Sequence, residues 1–173
     1  MRRTRSAWGS ALYLVAAPGV LAGLVPWWIT RWNPRPPFLG LELTRVAGAV
    51  LIAAGALELV DSFGRFALQG LGTPAPIAPT RHLVVTGAYR YVRNPMYLAV
   101  AAVILGQAVL LSDWRLIFYA ALIWLACHMF VVRYEEPVLL QTFGAEYESF
   151  RANVRRWIPR VNPWRAESRR GRL

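Results

Sequence analysis

Met96–Val132 reads MYLAVAAVILGQAVLLSDWRLIFYAALIWLACHMFVV. Two uncharged runs, Met96–Ser112 and Leu116–Val132, each hold 17 residues and are separated only by Asp113, Trp114 and Arg115. Seventeen apolar residues are the lower limit for a helix crossing a hydrocarbon core of about 30 Å. So short a polar break predicts a tight helical hairpin that crosses the membrane and returns.

Upstream, Ala7–Ile29 offers 23 residues without a charge, enough to span with some tilt. The run is too long for a signal peptide and no clear small-x-small cleavage site follows, so it reads as a retained anchor. Pro18 and Pro26 fall inside it, which membrane helices tolerate where neighbours satisfy the freed backbone groups. Proline-rich Arg31–Gly40 predicts a short connector outside the bilayer core. A further span begins near Leu43 and runs through Leu57, with Gly48, Gly55 and Ala56 offering close helix contact within the chain or between copies. Glu58 and Asp61 then belong near water or in a polar pocket, because a carboxylate in hydrocarbon costs about 3 kcal/mol. The expected fold is all-α: a polytopic membrane protein with about four transmembrane helices.

Composition agrees. The chain is 56% hydrophobic and 17% charged, with 8 Trp and 7 Tyr that suit the headgroup region. The net charge of +11 comes from 20 basic residues, all arginine. They flank apolar runs, which reads as a topology signal and argues against nucleic acid as a partner. Sixteen of the 20 precede the first span, lie in Gly64–Asn94 or follow Val132, so both termini and the long loop are expected on the cytoplasmic side of the cytoplasmic membrane. The lone Cys127 excludes a disulfide framework and a thiol metal site, and no metal is expected. After Arg133, apolar Leu139, Phe143, Tyr147, Phe150 and Val154 recur at helical spacing, predicting an amphipathic helix on the membrane or capping the bundle. One structural domain is expected, organised as a two-span region (1–63), a core of loop, hairpin and C-terminal helix (64–160) and a basic tail (161–173).

Long structured loops are where chemistry concentrates, and Gly64–Asn94 is the longest stretch outside the spans. No dinucleotide fingerprint, phosphate loop or zinc-protease motif is present. Arg81–Tyr97 reads RHLVVTGAYRYVRNPMY. Structurally, Asn94 and Pro95 suit a helix start, the tyrosines an interfacial belt, and Arg90 and Arg93 the topology rule. Arg133–Gly144 reads RYEEPVLLQTFG, with Glu146 and Tyr147 following. Its paired carboxylates suit either a helix start or a partly screened site for a cation.

In this order and spacing, Leu83, Val84, Gly87, Tyr89, Arg93, Asn94, Pro95, Tyr97, Glu135, Glu136, Phe143, Gly144 and Tyr147 resemble the isoprenylcysteine carboxyl methyltransferases and the related phospholipid methyltransferases. The resemblance covers Arg81 to about Pro159. It implies an integral membrane enzyme using S-adenosyl-L-methionine, held by Arg81, His82, Leu83, Val84, Tyr89, Arg93, Asn94, Pro95, Met96, Tyr97 and Glu135. Glu135 would balance the cofactor's cationic groups, Arg93 its carboxylate, and tyrosine faces its adenine. Arg90, Arg133 and Glu136 are the candidates for orienting the acceptor. Asn94 stands where the isoprenylcysteine enzymes carry histidine, and Val131 where they carry a substrate-binding arginine.

The expected activity is methyl transfer to a lipophilic or amphiphilic acceptor from the bilayer, on oxygen, nitrogen or sulfur. His128, about two turns before Glu135, is a candidate base or a packing residue. A noncatalytic membrane subunit or lipid-binding module is the alternative, as is a sterol-reductase-like oxidoreductase, for which the chain is short. Oligomeric state is not legible.

Overall fold

A computed structural model describes residues 17–65 and 83–165. Among them the chain is all-helical, without a strand. Five helices carry it: α1 (Ala17–Thr30), α2 (Leu43–Arg65), α3 (Pro95–Leu111), α4 (Trp114–Phe143) and α5 (Ala145–Asn153). Short 3-10 turns lie at Phe38–Gly40 and Gly87–Arg90. Helices α2 and α4, of 23 and 30 residues, are long and apolar enough to cross a membrane, while α1 and α3 are shorter apolar helices. The first ten residues of the expected span Ala7–Ile29 lie outside the described residues.

Two of these helices owe their shape to proline. A π-turn at Val20–Leu24 precedes Pro26, and another at Val131–Glu135 precedes Pro137. Proline has no N–H to give the helix ladder, and the wider turn is one way to accommodate that loss. In α1 the Val25 N–H goes to Val20 O, so the Leu21 and Ala22 carbonyls need other donors. Tyr119 Oη donates to Leu21 O at 2.9 Å and Gln107 Nε2 to Ala22 O at 2.6 Å. Both donors come from the hairpin, so the kink in α1 is satisfied only where α1 docks on α3 and α4. In α4 the π-turn inserts one residue, rotating the remainder of the helix by about 100° and setting the direction of Glu135 and Glu136.

Helices α2 and α3 pack through small residues. A Cβ built on Gly48 would lie 2.5 Å from Leu110 N and 2.7 Å from Gly106 O, and one on Gly55 would lie 2.7 Å from Ala99 O. Gly106 in turn would meet Gly48 O at 2.8 Å. The obstacles are mostly backbone, which cannot swing aside as a side chain does. The glycine face therefore serves packing within the chain, whereas Ala56 is exposed. Gly106→Val should destabilise the protein by about 1–3 kcal/mol through overpacking, read as a lower thermal midpoint, while Ala56→Val should change it little.

The α3–α4 turn is a second anchor. Asp113 is 0% exposed, accepts from Arg115 N at 3.0 Å, holds the Arg115 guanidinium at 2.6 Å and lies 3.5 Å from Arg35 Nη2. Arg35 N donates to Leu111 O at 3.0 Å and Phe38 N to Ser112 Oγ at 3.2 Å, so the expected connector Arg31–Gly40 is strapped onto this turn. The Arg115 side chain, then its backbone N–H and Arg35, hold the Asp113 carboxyl below its ordinary value of 3.8, against the opposing effect of burial. A carboxyl depressed in the folded state contributes stability above its unfolded value and loses it as pH falls through the folded one. The thermal midpoint should therefore fall as pH drops below about 4, and Asp113→Asn should flatten that part of the profile.

Gly144, at φ 50°, breaks the expected C-terminal helix into the end of α4 and α5. Tyr147, Phe150 and Val154 are buried in a cluster with Leu139, Leu140, Phe143, Leu83, Val85 and Trp164. The amphipathic face thus caps the bundle against the loop before α3.

Candidate active site

Three pieces of chain meet where α3 begins and α4 turns. The first is Leu83–Asn94, in which Gly87 takes φ +57° and Gly87–Arg90 makes a tight turn. A Cβ at Gly87 would run into the Arg65 guanidinium, whose Nε also bonds Asp61 Oδ2 at 2.6 Å. Glycine is required there by its positive φ, and a larger residue would in addition have to displace the Arg65 side chain. The turn buries Tyr89, whose hydroxyl is hydrogen-bonded to Ser62; burial, foremost, pushes that hydroxyl above its usual range. Ser62 Oγ donates to Glu58 Oε1 at 2.8 Å, so half-buried Glu58 belongs to the polar lining behind Tyr89 and Asp61 to an exposed ion pair. Both outcomes fit the expectation of a pocket or water.

The second piece is the π-turn of α4. Glu135, partly buried, accepts from Tyr97 Oη at 2.8 Å on Oε2. Its neighbour Glu136 faces a different set: Arg93 Nη1 at 3.1 Å, and the Arg156 fork, with Nε at 2.6 Å from Oε1 and Nη2 at 2.9 Å from Oε2. The two adjacent acids are therefore distinct. Glu136 closes an ion-pair network, whereas among the described residues Glu135 is held by one neutral hydroxyl. Arg93 Nη1 also donates to Tyr147 Oη at 3.2 Å, and Arg93 Nε is buried without a hydrogen-bond partner among the described residues.

The third piece was not anticipated as part of the site. Residues 155–164 cross the loop before α3 as a strap. Arg93 N donates to Arg155 O, Arg160 N to Tyr91 O and Trp164 N to Arg90 O, each at 2.9 Å. Asn94 Nδ2 donates to Arg156 O at 3.2 Å, so the amide secures the strap and does not cap α3 with its side chain. Arg90 Nε likewise donates to Trp164 O at 2.8 Å. Trp157 Nε1 donates to His128 Nδ1 at 3.0 Å, and its ring lies edge-on to Tyr97 at 6.4 Å between centroids. The only hint in the sequence is a tryptophan and two arginines just beyond the last helical residue, a pattern with no helical or strand period.

Among the residues expected to hold a cofactor, Val84, Tyr89, Asn94, Pro95 and Met96 are buried, and Leu83, Arg93, Tyr97 and Glu135 are partly so. Arg81 and His82 lie outside the described residues. Of the three expected to orient an acceptor, Glu136 and Arg90 are engaged by Arg156 and Trp164, and Arg133 is exposed, outside this network.

A family model described as phospholipid methyltransferase matches residues 43–146, more than half of the chain and all of α2, α3 and α4. The chain belongs to the phospholipid methyltransferase family. The family comprises integral membrane methyltransferases related to the isoprenylcysteine carboxyl methyltransferases. No curated protein and no solved structure matches the chain. The phospholipid methyltransferase match includes Tyr89, Tyr97, Glu135 and Glu136 and stops before the strap that carries Arg156 and Trp157.

Proposed function

We propose that this phospholipid methyltransferase family member is a four-span enzyme that moves a methyl group from S-adenosyl-L-methionine to a lipophilic or amphiphilic acceptor at the cytoplasmic face of the membrane. The observation that carries the reading is Glu135, a carboxylate in a partly buried position with Tyr97 as its hydrogen-bond donor and Tyr89 buried nearby. A carboxylate that has no cationic partner among the described residues, beside aromatic rings, suits a ligand that brings its own positive charge.

The residues present fit this cofactor. Glu135 balances its sulfonium or ammonium charge, the Tyr89 and Tyr97 rings cover apolar and cationic surface, and the buried Arg93 Nε–H is a donor for its carboxylate. When bound, S-adenosylmethionine supplies a methyl carbon already activated by a sulfonium. In the transfer, an acceptor lone pair forms the new bond as the C–S bond breaks, and its electron pair stays on sulfur as a neutral thioether. The protein then has to align the two partners and keep water out. Tyr97 and the π-turn hold Glu135, and the strap roofs the loop. Glu136, bound on both oxygens, keeps Arg93 and Arg156 in place and is a poor proton acceptor.

The test is transfer of tritium from methyl-labelled S-adenosylmethionine into the chloroform-soluble fraction, with purified protein in nanodiscs made from total membrane lipid. Label in that fraction, absent without protein, supports the enzyme. A protein that binds lipid yet transfers nothing supports the noncatalytic reading.

A further inference from the structure

His128 is a half-buried imidazole on a helix face that is otherwise apolar and exposed. Its neighbours Trp124, Leu125 and Met129 are 39%, 51% and 37% exposed. A polar N–H on such a face is costly unless something bonds it, so an intramembrane histidine calls for a partner. One ring nitrogen has its partner: Trp157 Nε1–H donates to Nδ1 at 3.0 Å. A neutral imidazole that accepts at Nδ1 carries its proton on Nε2. Stacking against Trp124, 5.4 Å between centroids and 22° between planes, restrains the ring from the other side. The Nε2–H makes no hydrogen bond among the described residues. A run of rings therefore leads from exposed Trp124 through His128 and Trp157 to Tyr97, the residue that holds Glu135.

We propose that His128 is the hydrogen-bond donor that receives the methyl acceptor, through an oxygen of its head (carboxylate, phosphate or carbonyl), and that Trp157 is the positioning residue that fixes it in that role. The proposal rests on the methyltransferase reading. It assigns the strap a part in acceptor binding, since one side chain sets the His128 tautomer and borders Tyr97. It also removes His128 from candidacy as a base, because Nδ1 is occupied and Nε2 already holds a proton.

The test is nitrogen-15 NMR of the histidine side chains in the detergent-purified full chain with S-adenosylhomocysteine present, the His128 signals being those lost in His128→Asn. The parent should show the Nε2–H tautomer, and Trp157→Phe, which keeps a ring and removes the donor, should lose that preference. Decanoate and decyl phosphate should shift the Nε2 signal saturably, and decylamine should not; which of the two acts at lower concentration separates a carboxylate head from a phosphate head. An Nδ1–H tautomer in the parent, a tautomer unchanged in Trp157→Phe, or amphiphiles that all shift Nε2 or all leave it would overturn the proposal. If Trp157→Phe does not fold, the parent tautomer and the amphiphile titrations still decide. Failure of the methyltransferase reading is separate, appearing as a parent that binds no S-adenosylhomocysteine by calorimetry.

Discussion

Glu135→Gln lowers affinity for S-adenosylmethionine by at least about 30-fold and abolishes detectable methyl transfer, while the thermal midpoint stays within a few degrees of the parent. The size comes from removing one side of a partly desolvated charge pair, worth about 2 kcal/mol or more, where each 1.4 kcal/mol is roughly tenfold. The retained fold reflects the bonding. Glu135 is held by Tyr97 Oη alone among the described polar contacts, and glutamine keeps an oxygen for that hydroxyl. Binding by calorimetry and unfolding by tryptophan fluorescence separate the two effects. Equal loss of affinity and stability would place Glu135 in the scaffold.

Glu136→Ala should have the opposite profile. Its side chain is 14% exposed and meets Arg93, 11% exposed, and Arg156, 31% exposed. Removing the carboxylate leaves two guanidiniums facing each other in a poorly hydrated place, for a cost of about 3 kcal/mol or more. In a chain of this length that corresponds to a midpoint lower by roughly 6–12 °C. The strap should loosen first, since Arg156 is its main charged tether; amide exchange at Arg155 to Trp164 should accelerate before exchange in α3. Glu136→Gln, which keeps hydrogen-bond acceptor capacity without the charge, should fall between the two. A midpoint unchanged in both variants would mean that the network is ornamental.

The parts of this architecture that sequence reading reached are those governed by hydropathy and local spacing. The hairpin is set by the two apolar runs around Asp113, and the Arg93–Tyr97 and Glu135–Glu136 fragments stand out because each is contiguous. Hydropathy is blind to the π-turns, since Pro26 and Pro137 look like ordinary membrane prolines until the neighbours that take up the freed carbonyls are known. For α1 those are Gln107 and Tyr119, 85 and 98 residues from their acceptors. Nor is the strap legible. Its bonds to Arg90 and Asn94 span 74 and 62 residues and many run through backbone atoms, which carry no residue signature. The break at Gly144 was hidden for another reason: the apolar period continues across it, although the helix does not.

Trp157 has the same origin. A tryptophan beyond the last helix of a membrane protein ordinarily reads as an interfacial anchor, and only its bond to His128 shows that it packs against α4.

The most direct test of the central claim is calorimetric titration of the purified full chain, in nanodiscs, with S-adenosylhomocysteine. One saturable site, weakened at least about 30-fold by Glu135→Gln and by Tyr89→Ala to a lesser degree, is the expected result. A folded parent that takes up no S-adenosylhomocysteine, or binds it equally well without the Glu135 carboxylate, would contradict the proposed site.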